Sequence, residues 1–157
     1  MPQTLRAVSC AIVVGTCGRL LLQQRDDVPG IIHPGLIGLF GGHRDPGEGA
    51  LDCVLRELEE EIGERIAPER AEPFLTLVTT LEEPNVVVDL TLYVVRGIEL
   101  GRLVVTEGQP LVTDIAALGP LYGRMTPAAA FAVRQYELRH LAGGHGASRQ
   151  GVQAQQQ

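Results

Sequence analysis

The stretch Gly42 to Glu64 (GHRDPGEGALDCVLRELEEEIGE) constrains this chain more than any other. Gly42 to Gly49 is rich in turn residues, with Asp45-Pro46-Gly47 as its signature, and reads as a loop folded tightly against the next segment. Beyond it Leu51, Val54, Leu55, Leu58 and Ile62 recur at spacings of three and four. That period predicts one amphipathic helix of about four turns with a single buried stripe, ending at Gly63. Glu57, Glu60 and Glu61 lie three and four apart on a different face, so their carboxylates converge on one patch.

Convergent carboxylates destabilise an isolated helix by roughly 0.2–0.5 kcal/mol per pair. A hard divalent cation reverses that sign, because Mg²⁺ takes oxygen ligands and keeps several waters for phosphate-bearing substrates. For any one such pair the plainer account is a solvated acidic face.

The residues also form a longer pattern. Gly42, five residues, Glu48, seven residues, then Arg56-Glu57-Leu58-Glu59-Glu60-Glu61-Ile62-Gly63 resembles the signature of the Nudix hydrolases. Only its last position departs: a hydrophobic residue is expected where Glu64 stands. Seven fixed polar or glycine positions match by chance on the order of once in ten million start positions, so coincidence is set aside.

The resemblance implies an α+β fold, an α/β/α sandwich with a mixed β-sheet between helices and the box as loop–helix–loop. It implies hydrolysis of a phosphoanhydride in a nucleoside diphosphate linked to another group, with Mg²⁺ as cofactor and Mn²⁺ as a substitute. Glu57, Glu60 and Glu61 would hold the metal, joined by the backbone carbonyl of Gly41. The general base is left open among Glu57, Glu60 and Glu107, where Glu107 stands in a Glu-Gly-Gln segment like that of many family members; Glu99 stands behind it. Glu48 and Arg56 would brace the loop and the catalytic carboxylates. Glu48 also sits where a helix dipole favours a carboxylate. Glu59 and Glu64 are expected to face solvent.

Length and composition fit one domain. At 157 residues, with 45% apolar and 20% charged residues, the chain can build a core of its own. Residues 1–142 read as the Nudix domain and 143–157, rich in Gly, Gln and Ala, as a disordered tail. A net charge of −6 argues against binding a nucleic-acid backbone, which wants a basic face. A small polyanionic nucleotide must therefore be received through metal ions and a few local arginines. Cys10, Cys17 and Cys53 form no CxxC pair and read as reduced thiols of a cytoplasmic protein. No His stands in a motif that would support a thiol nucleophile. No run approaches the length of a membrane span, and the sequence leaves a homodimer open.

In chain order, Leu5 to Val14 and Arg19 to Arg25 predict a hairpin around Gly15-Thr16-Cys17-Gly18, with Gln23, Gln24 and Arg25 pointing outward. Arg25 is a substrate candidate because guanidinium matches phosphate oxygens, and the resemblance places such an Arg at the cleft. Asp26 to Gly35 is an irregular loop, and His33 and His43 are further candidates for touching substrate. Leu36 to Phe40 is a short strand; family members often carry an aromatic near Ile37, and this chain does not. Glu72 to Leu81 and Val86 to Val95 predict two sheet strands joined by Glu82 to Asn85. Leu103 to Thr106 reads as short and extended, and Leu111 to Thr113 as a last strand. Asp114 is expected to cap a helical turn, and Thr126-Pro127 to start a helix that Gly143-Gly144 stops.

Substrate identity is less constrained. ADP-ribose-type and dinucleoside-polyphosphate-type members carry a Pro or Tyr downstream of the box, and the matching window here, Thr79 to Glu82, has neither. The segment Leu20 to Glu48 is most similar to members that act on nucleoside triphosphates, which points to a nucleoside triphosphate pyrophosphohydrolase. An NDP-sugar hydrolase is the alternative. A catalytically silent nucleotide-sensing module is the other, although it would have no physical need to keep three repelling carboxylates.

Overall fold

The strict two-residue alternation of the strands explains the layering. A computed structural model describes residues 3–149, with side chains described through residue 143. Along β1 (Thr4–Gly15), Ala11 and Val13 join one hydrophobic cluster while Ile12 and Val14 join another. β2 (Leu20–Gln24) divides in the same way, with Leu21 on one face and Leu20 and Leu22 on the other. Successive side chains of a strand point to opposite faces, so each face needs its own cover. Helix α1 (Ala50–Ile62) covers the first with Val54, Leu58 and Ile62. Helix α2 (Pro127–Arg149) covers the second with Ala129, Ala132, Val133 and Tyr136. The result is the expected α/β/α sandwich.

The sheet is mixed. β1 runs parallel to β6 (Val86–Ile98), the longest ladder, while β5 (Ala71–Thr79) pairs antiparallel with β6 at the edge. On its other side β1 has two partners in succession. β4 (Phe40–His43) pairs with Val8 to Ala11, and β2 pairs with Val13 and Val14. β2 also carries β3 (Ile37–Gly38) and β7 (Gln109–Thr113).

Local expectations are met in part. Asp114 takes the N-cap position of the short 3-10 turn Ile115–Ala117, with its backbone carbonyl accepting the Ala117 N–H; its side chain makes no capping bond, and the carboxylate stands 3.5 Å from Arg19. Leu103 to Thr106, read as short and extended, lies outside the named strands. It lies along the C-terminal end of α1, where Val104 and Thr106 give their N–H groups to the carbonyls of Ile62 and Glu61. Those carbonyls have no partner within the helix, so this segment takes the place of a sheet ladder. Helix α2 begins as predicted, with Thr126 Oγ1 accepting the Ala129 N–H at 3.3 Å. It then continues through Gly143 and Gly144 to Arg149, because glycine lowers helix propensity by about 1 kcal/mol without itself turning the chain. The remainder of the expected tail lies outside the described residues.

Glu64 leaves the box pattern at little structural cost. It is half-buried, and Ile66, two residues on, supplies the buried side chain beneath the helix end.

Leu58 and Glu59 are sequence neighbours with opposite surroundings, the first fully buried and the second exposed. Leu58→Ala should lower unfolding free energy by about 2–5 kcal/mol. Glu59→Ala should change it by less than about 0.5 kcal/mol. Urea unfolding of both variants checks the pair, and similar losses would contradict the packing described.

Candidate active site

Two adjacent glycines let the carboxylates of Glu57 and Glu61 lie against a strand. Gly41 sits opposite Cys10 with φ 139°, and a Cβ there would fall 2.2 Å from the carbonyl oxygen of Ser9. Its bare backbone directs the N–H to Glu61 Oε2 at 2.9 Å. At Gly42 a Cβ would fall 2.5 Å from Glu57 Oε1, in space that the Glu57 carboxylate occupies. The contact that Gly41 makes here is thus through its N–H.

Arg56 gathers the box. Its Nε and Nη2 donate to the two oxygens of Glu48 at 2.8 and 2.9 Å, a bidentate fork. Nη1 donates to Glu57 at 2.9 Å and to Glu60 at 3.3 Å, while Nη2 also reaches the carbonyl of His43. Glu48 in turn accepts the N–H of Asp45 at 2.9 Å. It caps no helix, since the N-cap of α1 is Gly49. Glu48 closes the loop on the helix through Arg56, the bracing role that the resemblance implies. Hydrogen bonding from Arg56, and then from the Asp45 N–H, holds its carboxyl down to about 2.

Glu61 is the buried member of the set, with 6% of its surface exposed. Burial raises its carboxyl well above the usual range, and a hydrogen bond with Glu107 raises it further, against the opposing Gly41 N–H. Burial also raises Glu57, while Arg56 pulls it down. Glu107 arrives beside Glu61 because its neighbour Thr106 is tied to the end of α1. Gln23 then holds the Glu107 carbonyl through Nε2 at 3.2 Å. Gly108, with φ 67°, allows a close pass over Gln24, where a Cβ would fall 2.6 Å from its carbonyl oxygen.

These groups border one cleft of about 490 Å³. Glu57, Glu61, Glu107, Arg56, Gly41, Arg25, His43 and His33 line it, whereas Glu60 and Glu99 do not. Glu60 stands at the rim, 59% exposed in its side chain, on the same Arg56. Arg25 has its Nε on the carbonyl of Ile32. Gln23 overturns the outward orientation read from the strand: it is 3% exposed and faces the cleft. The lining residues Arg6, Glu82 and Glu83 carried no sequence signal, since each is brought in by pairing and not by a motif. Cys10 also lines the cleft, but burial and then the Glu61 charge raise its thiol, which disfavours a nucleophilic thiolate. All three cysteines are free.

The donor set suits a hard cation. Glu57, Glu61 and Glu107 offer only oxygen, and Glu61 is a buried carboxylate facing another carboxylate, an arrangement that positive charge would relieve. Among the described residues no three such side chains stand close enough to form a finished metal cluster as they are placed.

The fold and box together define the class. Residues 3–108 match the model of the NUDIX domain, which is more than half of the chain, and the chain belongs to that family as a Nudix hydrolase. A MutT protein from Methanosarcina mazei is 17% identical, with a TM-score of 0.71 over 89% of this chain and 98% of that one. A MutT NUDIX hydrolase from Burkholderia pseudomallei is 24% identical, with a TM-score of 0.69 over 85% and 98%. A NUDIX hydrolase from Nitrosomonas europaea is 15% identical, with a TM-score of 0.68 over 86% and 90%. These likenesses show a shared fold. No curated protein matches the chain. As a family, Nudix hydrolases act on small nucleotide substrates of the nucleoside diphosphate-X kind. No helix among the described residues is long and apolar enough to cross a membrane.

This geometry makes two predictions. The folded value of Glu48 lies below the ordinary carboxyl value of about 4.3. Its stabilisation is therefore complete above that pH and fades as pH falls toward about 2. In urea unfolding, the deficit of Glu48→Gln should be largest at pH 7 and shrink near pH 2; a constant deficit would contradict the assignment. The glycines should also separate. Gly41→Ala meets backbone and should cost more than about 2 kcal/mol, whereas Gly42→Ala meets a movable carboxylate and should cost less than about 1 kcal/mol. The same unfolding measurement decides between these and equal losses.

Proposed function

We propose that this protein is a Mg²⁺-dependent pyrophosphohydrolase of nucleoside triphosphates. The observation that carries the reading is the buried Glu61 set beside Glu107 and Glu57 in one cleft, with the family box matched at every position but Glu64. Glu57, Glu60 and Glu61 would hold the metal, with the Gly41 carbonyl completing an oxygen set and Mn²⁺ as a substitute. When bound, Mg²⁺ supplies positive charge against the phosphoryl oxygens, which such reactions need more than covalent help.

The chain's own residues supply the rest. Arg56 keeps the Glu57 carboxylate in the cleft and the box loop closed through Glu48. A carboxylate must accept the proton of the attacking water. Glu57 and Glu107 line the cleft and Glu60 stands at its rim, which favours the first two as base. Arg25 and His43 border the same space as substrate contacts. We place the protein in the cytoplasm on its three free thiols, and assign catalysis to residues 1–142.

The test is Mg²⁺-dependent release of phosphate or pyrophosphate from a panel of nucleoside triphosphates and NDP-sugars. Wild type should turn over triphosphates and lose activity with EDTA. Glu61→Gln should lose at least about 10²-fold, with its Mg²⁺-induced rise in melting temperature abolished. An unchanged rate would sink the metal assignment. Preference for NDP-sugars would select the alternative, and binding without turnover would mark a sensing module.

A further inference from the structure

The connection between β5 and β6, Thr80 to Asn85, does more than join two strands. Glu82 sends one carboxylate oxygen to the backbone N–H of Ala128 at 2.6 Å, in the first turn of α2. Its other oxygen meets His33 Nε2 at 3.1 Å, in the Asp26–Gly35 loop. The next residue, Glu83, pairs with Arg6 of β1 at 2.6 Å. Two consecutive carboxylates thus tie three walls of the cleft to one short connection, and all of these side chains line the cleft.

Backbone conformation marks the same place. His33, with φ 53°, and Asn85, with φ 63°, are the non-glycine residues with positive φ among those described. Such conformations are uncommon and persist where surroundings hold them. His33 is held by Glu82, and the Asn85 carbonyl accepts the N–H of Thr4. The loop that His33 anchors carries Ile32 and abuts Arg25, whose Nε is bonded to the Ile32 carbonyl.

We propose that Glu82 is a positioning residue whose bond to His33 latches the Asp26–Gly35 loop as a wall of the cleft, so that substrate meets a preformed surface. The inference rests on the proposed nucleotide reaction for its use, while the latch itself stands on the contacts above. Ordering a loop before binding removes an entropy cost that binding would otherwise carry. The latch therefore acts on affinity, and the carboxylates around Glu61 keep their chemistry.

Three variants test it: Glu82→Ala, His33→Ala and the double substitution. His33→Ala leaves the Glu82 bond to α2 in place, so it separates the latch from helix stability. In His33→Ala, tryptic cleavage after Arg25 should accelerate. Its Kd for a non-hydrolysable nucleoside triphosphate with Mg²⁺, measured by calorimetry, should rise about three- to tenfold. In Glu82→Ala the kcat at saturating substrate should stay within about twofold, and the double variant should show no larger Kd than Glu82→Ala. Unchanged cleavage, unchanged Kd, a fall in kcat alone, or additive Kd effects would each overturn the inference. A wild type that binds the analogue but hydrolyses nothing would refute the proposed reaction and leave the latch standing. A wild type that binds no nucleotide would refute both.

Discussion

The burial of one carboxylate is the constraint around which the site is built. Glu61 keeps its side chain against the Gly41 N–H and its backbone carbonyl against Thr106. One residue thereby joins the sheet, the end of α1 and the segment that delivers Glu107. A buried carboxylate with another carboxylate beside it is unfavourable in the protein alone. The fold accepts this because the surrounding layers are well packed, with Leu58 and Ile62 fully buried beside Glu61 on α1 and Phe40 fully buried next to Gly41. In the proposed reaction the bound cation would relieve that repulsion.

Three glutamates on one helix face have three different environments. Glu61 is buried, Glu57 is partly buried on Arg56, and Glu60 is mostly in water on the same guanidinium. Arg56 is suited to this because its planar fork can serve several acceptors in fixed directions, which an ammonium group cannot. The charge excess is thus distributed unevenly: compensated at the rim and left uncompensated in the depth of the cleft.

Much of this was legible in the sequence, and for physical reasons. The period of Leu51 to Ile62 reports a helix because it is local, and the contact of Glu48 with Arg56 is what the family resemblance implies. Gly41 and Gly42 were legible only as part of a pattern; their reason is close approach, which needs the partner strand. Gln23 was misplaced because alternation says which face a residue takes but not that a cleft opens on that face. The part of Glu107 depends on the Leu103–Thr106 segment docking on a helix end, a contact between residues more than forty positions apart. Glu82, Glu83 and Arg6 were silent for the same reason, since ion pairs between distant segments leave no local period.

The succession of two partners along one edge of β1 carries a further consequence. The chain leaves β3 on β2 and enters β4 on β1 with Leu39 alone between them. That single residue spans a seam in the sheet, and both sides of the seam are clamped by backbone ladders. The distance from the seam to Gly41 is therefore set by the covalent chain. Length changes in the Asp26–Gly35 loop can remodel what the cleft admits without moving the carboxylates, whereas one residue added at Leu39 would slide Gly41 out of register with Glu61. The loop that borders the cleft and the backbone that holds Gly41 against Glu61 thus lie on either side of a single leucine.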